Sequence, residues 1–188
     1  MTTKSEFSVL GLAHKFFTAA EERGFNKAKI NALAENPTML QNCYDLFIGQ
    51  ARIVYIVDLD AYPFMPDGWE LLEHHKGGQF EFEPAKIALF LSEDQKGDRQ
   101  IRGYDLGNEL RVHAGFNANL LDFLIAHPLL IPKDWNGKTV FFWGTHYRNA
   151  DGVCVRYLDW GGESWIWNYY YLADDLTCEE PAAVPAQP

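Results

Sequence analysis

The chain has 188 residues and a formal net charge of -10. That length can bury a sizeable core, no apolar run approaches the roughly 20 residues of a membrane-spanning helix, and three cysteines (Cys43, Cys154, Cys178) at no metal-ligand spacing argue against a zinc site or a disulfide scaffold. From Asp151 onward there are seven acidic residues and one basic residue, Arg156, the opposite of a nucleic-acid footprint, so no nucleic-acid partner is expected. The opening Met1-Thr2-Thr3-Lys4-Ser5-Glu6 lacks the apolar core of a signal peptide. A cytoplasmic location is therefore expected, with surface display by another route left open.

In chain order, Ser5 to Arg23 reads as an amphipathic helix with Val9, Leu12 or Ala13, Phe16 and Ala20 at helical spacing and Gly24 as its stop. Lys27 to Glu35 and Thr38 to Ile48 read as two more helices, the second stopped by Gly49. A helical cap or oligomerisation element fits this acidic chain better than a DNA-binding helix pair. Arg52 to Leu59 is a strand candidate, and the segment from Asp58 to Trp69 is a turn-rich boundary. Gly77-Gly78 marks a hairpin or bend, and Lys86 to Ser92 a core strand. Asp94 to Gly103 is a polar loop. Asp105 to Arg111 and Asn117 to Ala126 are short helices, the second buried by Leu120, Leu121, Phe123, Leu124 and Ile125. The tail after Leu176, rich in Ala, Pro and acidic residues, reads as loop or frayed end.

The most informative stretch runs from Trp135 to Tyr171 and holds five of the six tryptophans. Three strands are predicted there: Thr139–His146, Val153–Trp160 and Ser164–Leu172. Asn149-Ala150-Asp151-Gly152 and Gly161-Gly162 turn the chain between them. Side chains on a strand alternate between faces. Trp165, Trp167, Tyr169 and Tyr171 therefore share one face, and Ser164, Ile166, Asn168 and Tyr170 the other. The first face is bulky and reads as core; the second is chemically mixed and reads as exposed. Tyr and Asn on a rigid sheet suit a binding surface, because they give contact area and adaptable hydrogen bonding at low entropy cost.

Catalytic signatures are absent: no nucleophile elbow, phosphate loop or dinucleotide fingerprint occurs. His74 and His75 are adjacent and point to opposite faces of a strand, and no metal or cofactor is expected. One alternative is a small carboxylate- and histidine-dependent enzyme drawing on Asp58, Asp60, His74 and Glu81. A further one is a structural or oligomerisation domain with an aromatic interface.

At HHKGGQFEFEPAKIALFLS, LLDFLIAHPLLIPKDWNGKTVFFWGTHYR and WGGESWIWNYYYLADDL the chain is similar to proteins of candidate-phylum bacteria and metagenomes, over roughly residues 63–184. Its closing segment resembles the variable region of target proteins of diversity-generating retroelements, in which a reverse transcriptase copies a template repeat and mutates its adenines. The resemblance implies a C-type-lectin-type fold displaying changed residues to a ligand. An Asn codon altered at its adenines reaches Asp159, Gly161, Ser164, Ile166, Asn168, Tyr170, Ala173, Asp174 and Thr177. The Trp codon has no adenine, so tryptophans would stay fixed, with Trp143, Trp160, Trp165, Trp167 and Tyr169 as scaffold. Glu179 and Glu180 are not reachable from an Asn codon and depart from the pattern. The Glu-Pro-Asn and Trp-Asn-Asp runs of calcium-dependent sugar sites are missing, since Glu180-Pro181 is followed by Ala182. Protein is thus the expected ligand.

The expectation is an α+β protein: a helical N-terminal segment (1–50), then a C-type-lectin-like domain (51–188) ending in an antiparallel, tryptophan-rich sheet with a variable region at 159–180. Its expected function is recognition without catalysis.

Overall fold

The computed structural model describes residues 18–187 and shows an α+β protein. The chain divides into two compact units, Met1–Ile53 and Val54–Pro188. The predicted helix over Ser5 to Arg23 lies mostly outside the described residues; its end, residues 18–22, is helical. Helix α1 (Lys27–Ala34) is capped by Asn26, whose side chain accepts from Lys29 N–H at 3.0 Å. Helix α2 (Pro37–Phe47) is capped in the same way by Asn36 and starts on Pro37, which has no N–H to leave unpaired. Both glycine stops close as left-handed caps. Gly24 (φ 79°) donates to Glu21 O while Phe25 N–H reaches Ala20 O, and Gly49 (φ 75°) donates to Leu46 O while Gln50 N–H reaches Asp45 O.

The second unit is built on a sheet whose centre is the tryptophan-rich meander. Its elements are β1 (Tyr55–Asp58), β2 (Glu70–His74), β3 (Gln79–Phe82), β4 (Ile87–Phe90), β5 (Ile101–Arg102), α3 (Gly103–His113), α4 (Ala118–Ala126), β6 (Val140–Arg148), β7 (Val153–Trp160), β8 (Trp165–Tyr171), β9 (Asp175–Leu176) and β10 (Ala182–Pro185). The main sheet runs β4-β10-β6-β7-β8, with β2 also paired to β6. β6 to β8 form the expected antiparallel meander. Asn149 closes its first turn by accepting from Asp151 and Gly152 N–H, and Gly162 (φ 93°) supplies the left-handed residue of the second.

One expectation is overturned, and another loses one of its two alternatives. The tail is not frayed: Ala182, Ala183 and Val184 are buried in β10, between β4 and β6. A strand covered on both faces needs an apolar run rather than alternation, and Ala-Ala-Val is that run. Gly77-Gly78 does not close a hairpin either, because β2 pairs with β6 while β3 pairs with β1.

The helices cover opposite faces. Leu120, Leu121 and Leu124 of α4 pack with Val140, Phe142 and Leu158, and Leu106 and Leu110 of α3 pack with Phe141, Trp143, Val155 and Leu172. The link between the helices crosses β6 at Gly144, whose N–H donates to Phe116 O and whose carbonyl accepts from His75 N–H. A Cβ there would stand 2.5 Å from Gly115 O, so only glycine admits the crossing.

Candidate functional site

The β7–β8 register places Asp159 opposite Ile166 and Tyr157 opposite Asn168. On this face Ile166 is 43% exposed, and Asn168 is exposed beside it. Ser164 and Gly161 in the β7–β8 turn, and Ala173 and Asp174 after β8, are exposed as well. Asp159, Tyr170 and Thr177 are half-buried and have local structural contacts. Tyr170 packs edge-on to Phe141 (centroids 5.9 Å) and donates from its hydroxyl to Asp175 O, so it belongs partly to the α3-side core rather than wholly to the open face. Thr177 donates from N–H and Oγ1 to Glu180. Asp159 accepts from Trp160 N–H. None of the nine predicted variable positions is buried.

The opposite face of β8 is anchored. Trp165 and Trp167 pack against the α4-side core, and Tyr169 meets Trp69 edge-on at 4.9 Å. Trp143 is buried. Trp160, expected in the scaffold, is 38% exposed; its ring leans on Trp165 at 5.5 Å at the end of the strand pair. Beneath Trp167 lies a feature that the sequence does not reveal. Arg156 is fully buried, forms a two-pronged pair with Asp122 of α4 at 2.7 and 3.2 Å, and stacks 4.2 Å from the Trp167 ring. The one basic residue of the acidic end is thus a rivet between sheet and helix, and Trp167 is its lid.

Two of the carboxylates suggested for an enzyme accept backbone hydrogen bonds near the β1 end. Asp58 accepts from Asp60 N–H, and Asp60 accepts from Gly78 N–H across the loop. His74 is held between Thr145 Oγ1 (2.8 Å) and Leu59 O (3.2 Å), and burial lowers its pKa from the usual 6.5. Glu81 sits in β3 opposite Ile56. Among the described residues no group of three His, Cys, Asp or Glu is placed to hold a metal ion.

A different cluster forms where β2 meets β6. The register sets Glu73 beside His146, and Glu73 accepts from His75 (2.7 Å) and from His146 Nδ1 (3.0 Å). The bond from His75, more than that from His146, holds the Glu73 carboxyl below the usual carboxylate range against a smaller opposing effect of burial. Burial drives His146 toward its neutral form despite this carboxylate. The cluster borders a cavity of about 440 Å³ between α3 and the sheet. No local motif announces it, because a register brings together residues 73 positions apart.

Comparison of the chain with protein-family models, with curated proteins and with solved structures finds no match. Among the described residues no helix is long and apolar enough to cross a membrane.

Proposed function

We propose that the chain is a non-catalytic recognition protein, the variable protein of a diversity-generating retroelement, which presents a changeable surface from a C-type-lectin-type scaffold to a protein ligand. The observation that carries this reading is the split along β8. Trp165, Trp167 and Tyr169 are held by packing, while Ile166 and Asn168 between them contribute nothing to the core. A fixed framework with tolerant positions interleaved is what repeated rewriting of one segment requires, because exposed substitutions generally shift stability by about 0.5 kcal/mol or less. Glu180, which departs from the pattern, accepts from Thr177 N–H and Oγ1 and ties Thr177 to the framework leading into β10, which counts against Thr177 as a freely changed position. The exposed set forms an open face with Ile, Asn and Ser, with acidic residues at its margin, a chemistry suited to a protein surface.

Sequencing the DNA around the gene tests the proposal. The expected result is a near-copy of the segment encoding residues 159–177, next to a reverse-transcriptase gene, differing from it only at template adenines. A flanking region without that copy, or a copy differing at other bases, overturns the retroelement reading.

A further inference from the structure

We propose that the N-terminal unit is where two copies of this chain pair, each covering apolar surface of the other, independently of the β7–β8 face. Helices of eight and eleven residues, the lengths of α1 and α2, barely hold in water unless an apolar face is packed. Little packing is available within the unit: no described side chain of residues 18–53 is buried. Small units without a core stand through disulfides, metals or association. Residues 1–53 contain one cysteine, Cys43, and so no internal disulfide, and among the described residues no group is placed to hold a metal ion. Association is the remaining route.

The unit leaves its apolar side chains out in a particular pattern. On α2, Met39 is 50% and Tyr44 57% exposed, and Leu40 and Leu46 are exposed with them. Leu40 also lines an apolar groove of about 560 Å³ with Ala19, Ala20, Phe25, Leu33 and Cys43, whereas Met39 and Tyr44 lie outside that lining. A groove and apolar projections on one unit are what a two-fold interface uses, since each copy gives what it receives. The charges favour a copy over another class of partner. Residues 18–53 hold four basic and four acidic side chains, so the negative excess of the chain lies elsewhere. A strongly acidic or basic partner meets no opposite surplus here, and a lipid surface meets no Lys or Arg on α2. Two copies of a balanced surface meet without net repulsion.

The test is sedimentation equilibrium of the full chain over a wide range of concentration. The expected result is twice the mass of the chain in the micromolar range, falling to the single mass on dilution. Met39→Lys with Tyr44→Lys is expected to weaken the pairing by about tenfold or more, and Met39→Leu with Tyr44→Phe to keep it. All six tryptophans lie in residues 54–188, so unchanged tryptophan emission shows that the second unit stays intact in each variant. A full chain that sediments as a monomer at every concentration overturns the proposal. So does pairing that the lysine variant leaves as tight as before, or that the conservative variant loses to the same extent. None of these outcomes bears on the β7–β8 face.

Discussion

At the scale of single residues, Arg156 shows how a charge is kept inside this protein. Its guanidinium is fully buried; the Asp122 carboxylate takes both terminal nitrogens and the Trp167 ring covers the plane, while Nε has no hydrogen-bond partner among the described residues. Removing one partner of such a pair strands the other charge, which typically costs about 3–5 kcal/mol. Asp122 retains some exposure, which places the expected loss for Asp122→Ala near the lower end, about 3 kcal/mol. Urea unfolding followed by fluorescence checks this, and the double variant Asp122→Leu with Arg156→Leu should recover part of the loss. A loss below about 0.5 kcal/mol for Asp122→Ala would mean that the pair is not a structural rivet.

At the scale of elements, β8 should read as two strands in one. Ile166→Ser and Asn168→Asp alter the exposed face and are expected to move the stability by no more than about 0.5 kcal/mol each. Trp167→Ala removes a ring from the α4-side core and uncovers Arg156, with an expected loss of about 3–5 kcal/mol. Thermal unfolding of the three variants side by side decides the matter. Similar losses for all three would show that the open face is part of the fold, leaving no tolerant surface to diversify. The alternation that divides these positions was legible beforehand, because a strand's period of two is local. Half-burial of Tyr170 was not legible, since it depends on Phe141 arriving from β6.

At the scale of the molecule, the second unit has its own core, with both helices and every strand of the main sheet inside residues 54–188. A fragment spanning Val54 to Pro188 should therefore unfold in one cooperative transition. The same fragment shortened before Ala182 should not, because it lacks the strand that joins β4 to β6. Circular dichroism during heating distinguishes them. Cooperative folding of the shortened fragment would contradict the central place of β10.

What the sequence determined by itself was local: the helix that starts at Asn117, the glycine stops, the three strands of the meander and the alternation along β8. Each follows from neighbours within a turn or two, where backbone geometry leaves few choices. Only the tertiary structure decided that Ala182-Ala183-Val184 is a central strand, since nothing local separates a short apolar run from a loose end. It alone decided that Arg156 meets Asp122 and that Glu73 meets His146, because those pairs depend on packing and on a strand register set by distant parts of the chain.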